Sequence, residues 1–464
     1  MINLLIELSK YIIIFLFAIY TYECFSVLRR SRTQTQQEEI FYRQTCMIYV
    51  IHFIAFFILI LVNEDLKLIA FYLMQAGLIT AIFLIYHWFY REASRLVLNN
   101  MCMLLAIGFI ILTRLDYDKA WKQFLLGVVA VVLSILVPYC IQKIHFLQKL
   151  TWVYAVLGIL ALGIVSVAGS TSYGAKISIH LGPVSIQPSE FVKILFVFFI
   201  AGMLERSAAP RQVIIISAVA GLHVLILVAS RDLGAALILF VIYLVMIYVA
   251  TKKIVYFVGG LLVGSAAAVL AYQLFSHVQT RVIAWKDPMS VIDKAGYQIC
   301  QSLFAIGTGG WFGRGLSKGA PNTIPVVEQD FVFSAIAEEL GGIFALCLIL
   351  VCVSCFLMFM NISMQVRDNF YKLIATGLGC GYGIQTFLTI GGVTKFIPST
   401  GVTLPLVSYG GSSLLSTMIL FAIIQGLYIL RREGGDKNAG ISTRTQPTYL
   451  AGRGTGFDTE FEQL

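Results

Sequence analysis

The sequence predicts an all-α polytopic membrane protein of about 13 transmembrane helices, and three observations carry that prediction. Of 464 residues, 59% are hydrophobic and only 12% are charged, where a soluble domain carries about 25% charged residues. The mean hydropathy is +0.86, spread in runs as long as the ~20 apolar residues that cross a hydrocarbon core. Lys and Arg gather in every second short connection, the pattern of cytoplasmic loops. That pattern accounts for the net charge of +9, so no nucleic-acid partner is expected.

Taken in order, spans are expected near 4–28, 46–63, 66–88, 97–113, 122–140, 149–169 and 190–206. They continue near 211–229, 233–250, 254–275, 331–362, 373–393 and 405–430. The first run lacks a basic n-region and a small-residue cleavage site, so it reads as a span and not a signal peptide. Arg29 to Arg43, Arg91 and Arg95, Lys143 and Lys149, Arg206 and Arg211 then fall on one side. So do Lys252 and Lys253, Arg367 and Lys372, Arg431 and Arg432. Placing these in the cytoplasm puts the N-terminus outside, the C-terminus inside, and 170–189, 276–330 and 394–404 outside. The tail, 433–464, is poor in apolar residues and is expected to be disordered.

The nine cysteines and six histidines show no metal-ligand spacing. Cys352 and Cys355 lie in an apolar run and read as small packing residues. There is no Walker loop and no dinucleotide fingerprint, so no organic cofactor is expected; this argues against an ATP-driven pump and leaves an ion-driven transporter open.

Chemistry should sit in the longest polar interval, Arg281 to Gly342, because long loops on a membrane body are where recognition happens. Asp330 opens the span DFVFSAIAEELGG. Taken alone it is a helix cap. Asp330, Ser334, Ala337 and Gly341 share one face, however, and Glu338 and Glu339 follow inside the span, where carboxylates are costly. In QPSEFVKILF, Glu190 and Lys193 are spaced to pair on one helix face, either locking a helix end or lining a polar cavity. Arg231 and Asp232 occupy a short turn and read first as a capped turn. In the Gly-rich run 305–319, exposed amides with Arg314 and Lys318 suggest a phosphate cradle of low specificity. In 391–413, two prolines and a Gly-Gly pair break the helix where Lys395 and Ser408 reach a cavity or a packed turn. One carboxylate with Lys176, Arg281, Lys286, Arg314, Lys318 and Lys395 on the same side suits glycosyl transfer from a lipid pyrophosphate. A base accepts the acceptor's proton, and cations or a divalent metal meet the charge on the leaving group.

These motifs resemble the SEDS family (shape, elongation, division and sporulation), the RodA/FtsW/SpoVE group of bacterial peptidoglycan glycosyltransferases. The matching pieces are QPSE with Lys193, DLG at Asp232, Arg281 with Asp287-Pro288, and GYQICQSLFAIGTGG, which contains Gln301 and Ser302. They continue with Asp330-Phe331, AEELG, and LPLVSYGGSS, which contains Ser408 and Ser412. The resemblance covers roughly 95–432. It implies a ten-helix core at 96–432 with a large external loop at 276–330, preceded by an extra three-helix module at 1–95. It implies polymerisation of lipid II by an inverting transferase with Asp330 as general base and Glu190 and Lys193 at the site. It further implies a divalent cation (Mg or Mn) and a class B penicillin-binding protein as partner, in division, elongation or sporulation. A lipid II flippase and a non-catalytic activator of a penicillin-binding protein are the alternatives. Ser230-Arg231 replaces the usual Gln-Pro or Glu-Pro, and the 174–178 run lacks the usual aromatic. Glu328 stands where a His is common. Next to Asp330 it would either raise that carboxyl's pKa or share a metal with it.

Overall fold

A computed structural model describes residues 2–29, 32–144, 146–172, 175–181 and 184–444. Among them are fifteen α-helices, twelve of which are long and apolar enough to cross a membrane. The remaining expected span, α7 (Pro188–Arg206), is a 19-residue helix. Glu190, Lys193, Glu205 and Arg206 place two charges near each of its ends, and most of its residues are buried.

The N-terminal trio is α1 (Ile2–Ser26), α2 (Gln34–Asn63) and α3 (Lys67–Phe89). The next helix, α4 (Arg95–Leu115), is the axis of the fold: every residue from Leu96 to Thr113 is buried. Its two asparagines are satisfied across helices, as buried amides in an apolar body must be. Asn100 accepts from Tyr20 Oη at 2.9 Å and donates to Ser354 Oγ at 3.2 Å. Asn99 Nδ2 donates to Phe41 O and Gln44 Oε1, both at 3.1 Å. Through these bonds the trio packs into the same bundle as the rest of the chain.

Of the helices that follow, α5 (Tyr117–Lys143) packs against α4, while α6 (Thr151–Ala168), α7, α8 (Pro210–Ala229) and α9 (Leu233–Thr251) pack against one another beside it. At the edge, α10 (Ile254–Leu274) has no buried residue. The bundle closes with α13 (Val332–Gln365), α14 (Asn369–Val393) and α15 (Gly411–Arg444). The irregular tail was expected to begin at 433; helical backbone runs on to Arg444, and 445–464 lie outside the described residues.

The polar connections are more ordered than expected. Between α6 and α7 lies a small antiparallel sheet of β1 (Ser170–Ser172), β2 (Ala175–Leu181) and β3 (Val184–Ile186). Ser170 pairs with Ser178, and Ile179 with Ile186. The interval 276–330 holds α11 (Ser276–Lys286) and α12 (Tyr297–Gly309). By contrast 394–410, between α14 and α15, is non-helical, as its prolines and glycines demand.

The start of α1 meets the same end of the bundle as the 276–330 connection. Lys10 Nζ donates to Gly313 O at 3.2 Å, and the Tyr11 and Phe312 rings lie 5.6 Å apart. The turns carrying Arg29, Arg91 and Lys252 lie at the opposite end.

Candidate active site

Where α11, α12 and 394–410 converge over the start of α13, they enclose a cavity of about 1340 Å³, its open mouth included. Asp330 lies on its wall. The helix that follows is capped at Phe331 with no side-chain hydrogen bond, so Asp330 is not the helix cap. Among the described residues no hydrogen bond satisfies its carboxylate. Arg281 points in from α11, and its Nη1 donates to Thr400 O at 3.0 Å. The two charges meet at Gly401, where a Cβ would stand 3.5 Å from Asp330 Oδ2 and 3.7 Å from Arg281 Nη2. Gly401 has φ +72°, which an L side chain rarely adopts. Both the backbone and the space beside the carboxylate therefore call for glycine here.

Burial raises the Asp330 carboxyl to about 6; Arg281 opposes the rise and Glu328 adds to it. Burial also lowers Arg281, against the pull of Asp330 and Asp232. A carboxylate of this kind is a competent base near neutral pH.

Asp232 lines the same cavity, but both its oxygens are engaged. Oδ1 accepts from Ala235 N at 3.1 Å, capping α9, and Oδ2 accepts from Ser189 Oγ at 3.1 Å. Burial raises its pKa. The capped-turn reading of this residue holds.

Glu190 and Lys193 form the expected pair, Nζ to Oε2 at 2.8 Å. They are buried one layer below. Lys193 also donates to Gln385 Oε1 at 2.6 Å, and Ser416 Oγ donates to Glu190 at 2.9 Å. Gln385 in turn donates to Thr403 O at 3.1 Å, and Thr403 lines the cavity. The pair thus braces the cavity floor and does not face its space.

Several expected residues lie elsewhere. Arg314 sits 3.6 Å from Glu338 Oε1 and Lys318 donates to Asn3 Oδ1 at 2.5 Å. The Gly-rich run is not a phosphate cradle but a strap bound to the break in α13. Its amides at Arg314 and Gly315 donate to the carbonyls of Glu338 and Glu339 at 3.0 and 2.9 Å. Glu338 Oε1 accepts from Ala320 N at 2.9 Å, while Glu339 pairs with Arg114 at 3.0 Å and accepts from Ser317 N at 3.0 Å. The carbonyls are free to do this because Gly341, at φ 87°, interrupts the helix.

Ser302 is buried and joins α12 to Ser334 Oγ at 2.7 Å and Val393 O at 2.8 Å. Its neighbours Gln298 and Ile299 line the cavity, and Gln301 does not. Ser408 accepts from Leu404 N and Ser412 from Gln187 N, each at 2.9 Å. Lys286 is exposed, and Lys395 offers its carbonyl to Trp285 Nε1 at 3.1 Å; neither lines the cavity. Glu328 is not on the cavity wall and pairs with Lys119 at 2.7 Å.

Sequence reasoning missed Gln187, Thr280, Gln329 and Thr400, all on the cavity wall, and left Arg231 as a turn residue. Arg231 is exposed, lines the cavity and has φ 64°. Its place between two spans, next to Asp232, was the available signal. The polar amides carried none.

Residues 93–432 match the family model of FtsW, RodA and SpoVE, described as cell cycle protein. Peptidoglycan glycosyltransferase RodA of Mycobacterium bovis is 35% identical over 358 residues, covering 71% of this chain and 76% of the relative. The probable peptidoglycan glycosyltransferase FtsW of Aeromonas salmonicida is 33% identical over 279 residues, covering 58% and 71%. A solved peptidoglycan synthase complex contains a chain that superposes with a TM-score of 0.62 at 24% identity, covering 74% of this chain and 98% of that one. The crystal structure of Thermus thermophilus RodA gives 0.53 at 24% identity, covering 74% and 97%. These two establish likeness of fold. Fold, cavity and relatives together define a multi-pass enzyme of the cytoplasmic membrane, of the peptidoglycan glycosyltransferase class. The chain belongs to the FtsW–RodA–SpoVE family.

Proposed function

We propose that this protein polymerises lipid II at the outer face of the cytoplasmic membrane, with Asp330 as general base. The observation that carries this is a carboxylate with no hydrogen bond among the described residues, raised to about 6, facing an open cavity beside a half-buried arginine. In the transfer, Asp330 takes the proton of the acceptor sugar hydroxyl as its oxygen attacks the donor's anomeric carbon. The bond from that carbon to the lipid pyrophosphate breaks, and the pyrophosphate leaves with the electron pair. Arg281 stabilises the charge that builds there, with Arg231 at the mouth. Asp232 is fully engaged, so among the described residues the cavity offers one free carboxylate. A single displacement with inversion follows from that, since a covalent route needs a second carboxylate as nucleophile.

Among the described residues no three His, Cys, Asp or Glu converge as a metal cage. The donor set fits a Mg²⁺-like ion, which uses one or two carboxylates and completes its shell with phosphate and water. Asp330 would hold it, and it would supply charge neutralisation at the pyrophosphate.

The partner in this reading is a class B penicillin-binding protein; a solved peptidoglycan synthase complex with a fold-like chain supports it. The outward placement of the cavity rests on the arginines and lysines at the opposite end of the bundle. That same placement puts the start of α1 outside and α15's end inside. Residues 1–95 are assigned as an added module, supported by a family match that begins at 93.

The test is lipid II polymerisation by the purified protein with its penicillin-binding protein, wild type beside Asp330→Ala, with Mg²⁺ or Mn²⁺. Glycan ladders from wild type and none from a folded variant are expected. Equal ladders from both would remove Asp330 as base. No ladder from either, in an assembled complex, would favour a flippase or a non-catalytic activator.

A further inference from the structure

The second large cavity is lined mostly by residues before the region matched by the family, at the end of the bundle opposite Asp330. It sits between α2, α3 and the start of α4, with about 1100 Å³ of empty space including its mouth. Arg91, Arg95 and His87 lie on its rim, and among the described residues no Asp or Glu lines it. Both arginines are exposed, and among the described residues neither is held in an ion pair. Its walls are apolar or aromatic: Phe41, Tyr42, Phe83, Leu84 and Leu98. Its inner polar groups are already satisfied, since Asn99 is bonded to Phe41 and Gln44 and accepts from Thr45 Oγ1 at 3.3 Å.

The depth of the cavity follows from its neighbours. Trp88 is 66%, Phe89 68% and Tyr42 72% exposed. Exposed aromatic rings at the end of a span mark the headgroup level of a membrane. Two guanidiniums at that level outside any ion pair among the described residues, above an apolar cleft with an open mouth, match a phosphodiester with acyl chains attached. A soluble anion would use the arginines but leave the cleft walls without a partner. Basic pockets between spans on the positively charged side bind anionic lipid headgroups.

We propose that the α2–α3–α4 cavity binds an anionic phospholipid of the leaflet opposite the 276–330 connection. The arginines hold its phosphate, and Phe83, Leu84 and Leu98 contact the start of its acyl chains. The N-terminal helices are thereby fastened to the membrane as well as to α4 and α13.

Native mass spectrometry of the full-length protein in detergent, titrated with cardiolipin or phosphatidylcholine, tests this. Three variants are compared with wild type: Arg91→Gln with Arg95→Gln, Lys252→Gln with Lys253→Gln, and Leu84→Trp. The lysine pair removes the same charge from the same end of the bundle. Leu84→Trp fills the mouth and leaves both arginines. Wild type should hold cardiolipin far more tightly than phosphatidylcholine. The arginine variant should lose roughly thirtyfold in cardiolipin affinity, the magnitude for two basic residues at an anionic surface. The lysine variant should bind as wild type, and Leu84→Trp should bind more weakly than wild type. Equal affinity for both lipids, equal loss in the lysine variant, or no loss in the arginine variant would overturn the proposal. So would full competition by inorganic phosphate, which would mark a soluble anion site. If the arginine variant does not fold, unchanged binding by Leu84→Trp overturns the proposal, and weakened binding supports it.

Discussion

Asp330 and the Glu338–Glu339 pair lie in one short stretch of chain, yet the fold treats them in opposite ways. Glu338 and Glu339 are given partners: Arg314, Arg114 and the amides of Ser317 and Ala320. They have become structure, tying the Gly-rich strap to the break at Gly341. Asp330 receives no such partner, only the field of Arg281 across Gly401. A carboxylate buried with partners rigidifies; one buried without them keeps a raised pKa and stays reactive. Neither setting follows from residue type, and both cost desolvation.

The largest test of that contrast is activity. Asp330→Ala should lower polymerisation by about 10²–10⁴-fold, the range for losing a general base, with no loss of thermal stability. Glu339→Ala should do the reverse in kind. It leaves Arg114 and the Ser317 amide without their partner, and breaking a buried pair costs about 3–5 kcal/mol. Arg114 is 18% exposed, so the lower end is expected, read as a fall in unfolding temperature in detergent. A stable Glu339→Ala protein, or an unfolded Asp330→Ala, would erase the distinction.

The pH dependence sharpens it. A base must be deprotonated, and Asp330 sits at about 6, so the rate should climb as pH rises through about 6 and level above it. Arg281 holds that value down. Arg281→Gln should therefore move the acid limb to higher pH besides lowering the plateau. An unmoved limb would mean that another group titrates.

Stability should show the same group with the sign reversed. The folded pKa of Asp330 is raised, so the folded state favours the protonated acid. That contribution is present below the unfolded value and is lost as pH rises through about 6. Asp330→Asn should stabilise the protein by on the order of 1–2 kcal/mol at pH 7.5, allowing for the open side of the cavity, and less at pH 5. A gain independent of pH would assign it to packing. The smallest effect belongs to Glu328, whose charge pushes Asp330 upward while Lys119 partly neutralises it. Glu328→Gln should shift the acid limb slightly to lower pH, and a shift to higher pH would contradict the assignment.

Much of this was legible in the chain. Each expected span is a helix, because length and apolarity alone determine what can lie in a bilayer. The Glu190–Lys193 pair was readable because helical spacing brings those two positions together. Asp330 stood out as a carboxylate at the water-facing end of a span. What failed was the assignment of cations. Arg314, Lys318, Lys286 and Lys395 look like Arg281 in sequence, but only Arg281 reaches the cavity. The small sheet at 170–186 was also invisible among serines and glycines.

The sequence by itself determined a membrane-spanning bundle, the end where its polar connections gather, and the segments that could carry chemistry. These are local properties, set by apolar length, charge and helical period. Tertiary structure decided which charges meet. Asp330, Arg281, Asp232 and Gly401 come from four separate segments, and whether a buried charge finds a partner depends on how those segments cross. That crossing left Asp330 alone and paired Glu339, because an ionic contact acts over a few ångströms in space and is indifferent to distance along the chain.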